Sequence, residues 1–273
     1  MSQAETLRAV ETERPRLDYT PLVRIAVPVL LLLGWWAGTT FNPGGLIPSP
    51  QDVGTALWDL AFGGINDDAF SQMLLPDLIA SASRVYGAFL LAAALALPLG
   101  MLIGRLKVVK ELLEPTLQVL RPVPVTAWLP LSMILFGLGP QSAFFLVALG
   151  AFYPILVNTV FAVRSVEPRL FEAALMLGVS QPRLFPKVVL PASLPGIFTG
   201  LRLGLGFAWV VIVVGEMTGV QTGLGAMIMD ARQLSRTEIV ISGMIVIGIV
   251  GFLSDQAVQW IGRRLLAWSP QHG

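Results

Sequence analysis

The chain has 273 residues, of which 55% are hydrophobic and 13% charged, with a net charge of +1 and no cysteine. A soluble domain carries about 25% charged residues, so most of this chain is built to dissolve in lipid; at about 20 apolar residues per span it holds six spans and no separate soluble catalytic domain. The missing cysteine excludes disulfides, thiolate metal sites and cysteine nucleophiles together, and the near-neutral balance gives no reason to expect nucleic acid as a partner.

Residues 1–21 are polar and mixed in charge, without the apolar core of a cleavable signal, and read as an N-terminal tail followed by a retained first span over 22–40. Trp35 and Trp36 lie near its far end, as suits a membrane interface. After a turn at Asn42-Pro43-Gly44-Gly45, Ser49 as N-cap, Pro50 at the first helical position and Asp52 two residues on predict a short surface helix, stopped by Gly63 and Gly64. The second span, 78–104, is rich in alanine and leucine and carries Pro98, which predicts a kink. The third, 122–138, follows Arg121-Pro122-Val123-Pro124, and the helical pattern of 111–120 reads as its extension. Gly139-Pro140 turns the chain into the fourth span, 142–163. A polar stretch, 164–195, leads to the fifth, 197–217; a glycine-rich loop, 219–225, leads to the sixth, 238–261, with a short tail at 266–273. No internal repeat stands out.

Lysine and arginine fix an orientation, because short loops rich in them stay on the cytoplasmic side. Arg8, Arg14, Arg16 and Arg24 precede or open the first span, Arg105, Lys107, Lys110 and Arg121 lie between the second and third, and Arg164, Arg169, Arg183 and Lys187 between the fourth and fifth. The loop after the first span has no basic residue but contains Asp52, Asp59, Asp67, Asp68 and Asp77. The expectation is an all-α membrane protein with six transmembrane helices and both termini cytoplasmic.

The 164–195 segment is long for a loop between packed spans, and such loops usually have a function. Pro168 near a helix start, the early Glu167 and Glu172, and Gly178 past the last periodic residue mark one short helix. Leu170, Ala173, Ala174 and Leu177 share a face, giving a small apolar ridge. Two readings fit it: a ridge that docks into another protein, or a surface helix packed on its own bundle.

Glu172-Ala173-Ala174, then Gly178, then Val188-Val189-Leu190-Pro191 resembles the EAA signature of ABC importer permeases, with Val188 where the pattern has isoleucine. Ile47-Pro48-Ser49-Pro50, residues 204–216, and Thr222-Gly223-Leu224-Gly225 through Asp230-Ala231-Arg232 resemble the branch that imports nitrate, taurine and aliphatic sulfonates. The resemblance implies a type I ABC importer permease fold in a bacterial inner membrane. It implies that Glu172, Ala173, Ala174 and Gly178 form a coupling helix against an ATP-binding subunit, with Leu190-Pro191 and Pro195-Gly196 redirecting the chain into the fifth span. The implied partners are two ATP-binding subunits that hold ATP and magnesium, a second permease copy and a periplasmic binding protein; the implied cargo is a small oxyanion or organic acid. The chain lacks a Gly-x-x-x-x-Gly-Lys-Ser/Thr phosphate cradle, so no cofactor is expected on it and the energy must come from a partner.

Ionisable groups inside a span are expensive and are candidates for the pathway. Arg84 and Glu216 fall toward the outer side, Arg202 and Asp255 toward the cytoplasmic side; Asn158 and Thr126 are further polar candidates. Ion pairing within the bundle and contact with cargo are both open for these groups. The pairs Gly34-x-x-x-Gly38 and Gly200-x-x-x-Gly204 allow close helix contact. His272 is the only histidine and lies in the tail, which leaves no histidine-based metal site or triad. The alternatives are an ion-coupled secondary transporter, which calls for a deep carboxylate and inverted repeats, and an integral membrane enzyme, which calls for a convergent catalytic set.

Overall fold

The computed structural model describes residues 20–41 and 45–266; the predicted tails, with His272, and part of the first turn lie outside the described residues. The chain divides into two compact units, residues 1–52 and 53–273. In the first, α1 (Thr20–Phe41) carries the apolar run and is followed by an irregular stretch. Trp35 Nε1 donates to the Pro48 carbonyl at 3.0 Å and ties that stretch back to the helix. The Ser49 hydroxyl accepts from the Asp52 amide at 3.2 Å while the Asp52 carboxylate accepts from the Ser49 amide at 3.0 Å. This reciprocal capping box opens α2 (Pro50–Phe62), as the sequence predicts.

The second unit is a helical bundle. Its described helices are α3 (Leu74–Arg105), α4 (Lys107–Leu120), α5 (Leu129–Phe136), α6 (Pro140–Arg164), α7 (Pro168–Met176), α8 (Gln181–Glu216), α9 (Leu224–Gln233) and α10 (Thr237–Leu265). Among the described residues, four helices are long and apolar enough to cross a membrane (α3, α6, α8 and α10), or five if the bent pair that ends in α5 counts as one span.

Helices in lipid gain little from apolar burial against one another, so close packing has to hold them. The α6–α8 seam does this with glycine. A Cβ on Gly200 would lie 2.8 Å from Asn158 Cβ, and one on Gly204 would lie 2.6 Å from Ile155 Cγ1. On the other flank of α6, a Cβ on Gly100 of α3 would meet the Thr159 side chain at 2.8 Å. Backbones thus approach within reach of one another's carbonyls, and Val85, Ala92, Ala151, Ala208, Trp209 and Ile212 fill the remaining core.

Three expectations are corrected. Residues 111–120 do not extend the third span: α4 and the Val125–Phe136 segment are bent by 90°. Pro122 and Pro124 supply no amide, and Pro124 adopts an extended conformation (φ −58°, ψ 139°) that turns the chain before a 3₁₀ turn at Val125–Trp128. Second, Leu190-Pro191 and Pro195-Gly196 do not redirect the chain; α8 runs unbroken from Gln181. A π turn at Phe185–Val189, closed by the Leu190 amide on the Phe185 carbonyl, widens the helix just before Pro191 and gives its ring room. Third, the glycine-rich loop does not extend to Gly225: residues 224–233 form the helix α9, whose Leu224, Met227, Ile228 and Ala231 are buried at helical spacing.

Candidate functional site

Two regions gather the predicted residues. The first is α7. Glu167 is its N-cap and Pro168 its first residue, so Glu172 sits in the second turn rather than at the positive end of the dipole. Its C-terminus closes by the paired bonds of a Schellman motif: the Gly178 amide donates to Leu175 O at 2.9 Å and the Val179 amide to Ala174 O at 3.0 Å. Gly178 has φ +78°, and a Cβ there would meet no neighbour. Conformation, not space, demands the glycine.

Phe171 packs against the cluster Val163, Val166 and Val189, and Ala174 is buried at 8% exposure. The ridge is therefore split: Ala174 faces inward, while Leu170, Glu172, Ala173, Met176 (88% exposed) and Leu177 (85%) face outward. Leu190 and Pro191 stand half-buried just after the π turn. Gly178 connects α7 through Val179 and Ser180 to α8.

The second region lies at the opposite end of α8. Glu216, 1% exposed, accepts from Arg84 Nη1 at 2.6 Å, from the Ser81 hydroxyl at 2.7 Å and from the Gly225 amide at 2.9 Å. The Gly223 amide donates to Asp77 Oδ1 at 2.8 Å, and the Leu224 amide donates to Ser81 Oγ at 2.8 Å. Arg84 also donates to the Thr222 carbonyl at 2.7 Å and to its hydroxyl at 3.1 Å. Three consecutive amides at the start of α9, which a helix leaves without internal partners, thus end on two carboxylates and a hydroxyl. A Cβ on Gly223 (φ +132°) would stand 2.5 Å from the Glu216 carboxylate, so the glycines of 222–225 allow the carboxylate in.

The sequence picked out Arg84 and Glu216 but not their partners. Asp77, read as a loop residue, belongs to the first turn of α3 and is 5% exposed. Asp77, Ser81 and Arg84 recur at i, i+4 and i+7, a polar stripe on an apolar helix that the sequence already displays.

Arg202 and Asp255 form a two-point ion pair between α8 and α10, with Nε–Oδ1 and Nη2–Oδ2 both at 2.8 Å. Beside it, the Ser254 hydroxyl donates to the Val250 carbonyl, so Tyr86 and Trp209 Nε1 both donate to Ser254 Oγ, at 2.7 and 3.1 Å. Asn158 donates to the Pro154 carbonyl of its own helix at 2.8 Å. Thr126 is exposed in the 3₁₀ turn. The two ion pairs on α8 are separated by fourteen residues, about 21 Å along the helix.

The family described as "Binding-protein-dependent transport system inner membrane component" matches residues 96–267. A protein of Methanocaldococcus jannaschii named as an ABC transporter permease is 45% identical, with 90% of this chain and 92% of that protein covered. The taurine transport system permease protein TauC of Escherichia coli is 35% identical (89% and 88% covered), and the nitrate import permease protein NrtB of Synechocystis is 33% identical (91% and 94% covered). An inward-facing structure of the MetNI methionine ABC transporter shares the fold at a TM-score of 0.59 and 18% identity, covering 72% of this chain and 95% of the solved one. With the EAA signature on an exposed helix closed at its C-terminus and the family match spanning α7, α8 and α10, the chain belongs to the family of binding-protein-dependent transport system inner membrane components, the permeases of ABC transporters.

Proposed function

We propose that the chain is the permease subunit of an ATP-driven importer for a small oxyanion or organic acid of the nitrate, taurine or alkanesulfonate type. The observation that carries this is α7: a short helix closed at its C-terminus and anchored by Phe171 and Ala174, that leaves Leu170, Ala173, Met176 and Leu177 bare. Bare apolar side chains on a helix outside the spans call for a partner groove. Glu172, Ala173 and Gly178 are the docking residues on an ATP-binding subunit, two copies of which serve two copies of this chain. A periplasmic binding protein delivers cargo from the other side. In this reading α1 and the bent pair complete six spans with both termini in the cytoplasm of a bacterial inner membrane.

The geometry suggests how force travels. ATP-driven closure of the partner pair shifts α7, which leads through Gly178 into α8, a helix of 36 residues and about 54 Å. At its far end Glu216 is bonded to α3 and α9, so a shift at α7 is carried along one rod to the opposite face. Arg202–Asp255 holds the rod to α10 on the way.

The test is a pull-down of the tagged chain from detergent-solubilised membranes, with an ATPase assay on what comes with it. A nucleotide-binding subunit with ATPase activity is the expected result. A chain that purifies alone and inert would favour the ion-coupled alternative.

A further inference from the structure

A groove of about 240 Å³ opens between α4 and α6 at the end of the bundle that carries α7. Its rim is the Glu114–Arg164 ion pair at 3.1 Å. Tyr153 lies eleven residues before Arg164 on α6, so the groove reaches about 16 Å along that helix. The walls are mostly apolar, with Leu117, Leu156 and Val160, and three polar side chains converge in them: Gln118, Arg121 and Tyr153.

Arg84, Arg164 and Arg202 each have a carboxylate partner. Arg121 is different: among the described residues its guanidinium has no ion pair or hydrogen bond, and the Gln118 amide and Tyr153 hydroxyl have no hydrogen-bond partner either. A second observation points to the same place. Arg121 to Pro124 form the exposed break in the 90° bend, with two prolines and an extended residue. All four residues of the break are exposed, which leaves the Arg121 end of the groove open.

We infer that this groove is a binding site for an organic oxyanion, with the anionic head on Arg121, Gln118 and Tyr153 and a short alkyl tail against Leu117, Leu156 and Val160. The site deepens the importer reading and rests on it for the identity of the anion as cargo. A cation that brings no carboxylate of its own, next to two neutral donors, matches a sulfonate or carboxylate head. The apolar walls give the preference for a tail, which a bare oxyanion such as nitrate cannot use. The ion-paired Arg84 and Arg202 are already neutralised and hold helices together; of the two arginines that line this groove, Arg164 is paired with Glu114 and Arg121 is open to a ligand. An anionic lipid headgroup has the same chemistry, so the test separates the two sources.

The experiment measures binding of radiolabelled butanesulfonate to the full chain in phosphatidylcholine nanodiscs, with methanesulfonate and nitrate as competitors. The expected result is saturable binding, competed better by the longer alkyl chain, and weakened by about tenfold or more in Arg121→Gln, less in Arg121→Lys, and several-fold in Tyr153→Phe. Lys107→Gln, which changes an exposed cation at the other end of α4, should bind as the parent does. No saturable binding in the parent chain, or parent-like binding in a monodisperse Arg121→Gln, would overturn the inference. So would loss of a retained phosphatidylglycerol in native mass spectrometry of Arg121→Gln with sulfonate binding unchanged, which assigns the groove to lipid. Co-purification of an ATP-binding subunit is scored separately on both proteins: its presence keeps the importer reading when sulfonate binding fails, and its absence removes that reading whatever the groove binds.

Discussion

At the level of single residues, the Glu216 carboxylate is bonded to an arginine, a hydroxyl and a backbone amide at once. A buried carboxylate held by one arginine, one hydroxyl and one amide loses its counter-charge in Arg84→Met. Leaving an uncompensated buried charge costs about 3–5 kcal/mol, and adding Glu216→Gln should return part of it. The midpoint of detergent-induced unfolding reads both; an unchanged midpoint in Arg84→Met would show that water reaches the carboxylate. Gly223→Ala should be nearly as harmful, because its methyl would occupy the carboxylate's position. A second acidic site joins the last turns of α2, which carry Asp59, to the loop after it, which carries Asp68. Hydrogen bonding from Arg236 holds the Asp68 carboxyl below the usual range, and the Ser71 hydroxyl does the same for Asp59. Groups depressed in this way stabilise the fold above their ordinary value near 3.8, and that stabilisation is lost as pH falls through the folded value. Amide exchange at Ile65, Asn66 and Phe70, corrected for intrinsic rate, should be flat from about pH 8 to 5 and rise below about pH 4. In Asp68→Asn the Phe70 amide should be less protected at every pH.

Among the elements, α7 and the α6–α8 seam make different demands on glycine. Gly178 needs only a left-handed backbone, so Gly178→Ala should cost about 1 kcal/mol and Gly178→Asn less. Amides near the end of α7 would then exchange about fivefold faster in the alanine variant, and equal rates in both would argue against a conformational origin. Gly204 needs space: Gly204→Leu would meet Ile155 and the Ala151 carbonyl and should cost about 1–3 kcal/mol, whereas Gly206→Leu, with nothing within 4 Å, should be neutral in the same unfolding assay. Much of this level was legible in the sequence. The capping box at Ser49 and Asp52, the ends of α7 and the apolar runs of α3, α6, α8 and α10 follow from local chemistry. What was not legible depended on geometry beyond a few residues. A π turn, which lets α8 run through Pro186, Pro191 and Pro195, has no composition of its own, so the prolines read as breaks. The 90° bend failed in the opposite direction: a helical pattern on both sides of Arg121–Pro124 concealed a change of axis. Helix α9 was hidden by the glycines before it, although its apolar spacing was present.

For the whole molecule, the sequence could nominate charged residues but not pair them. Arg84 with Glu216 and Arg202 with Asp255 are 132 and 53 residues apart, and only the packing of α3, α8 and α10 brings them together. That packing gives each of the four candidates a partner within the protein, while Arg121, counted only for orientation, has no ion pair among the described residues.

The bend has a consequence for how the chain is made. The 3₁₀ turn and α5 together cover about 20 Å, well short of the ~30 Å hydrocarbon layer. On emerging from the ribosome this segment cannot hold itself across a bilayer. Its buried Ser132 accepts from Ser142 at 2.9 Å, across a turn whose Gly137 and Gly139 have φ of +78° and +138°. The unit expected to enter the membrane during synthesis is therefore the α5–α6 hairpin: a nascent chain halted before residue 140 should leave α5 at the surface, and one extended through residue 164 should carry it in.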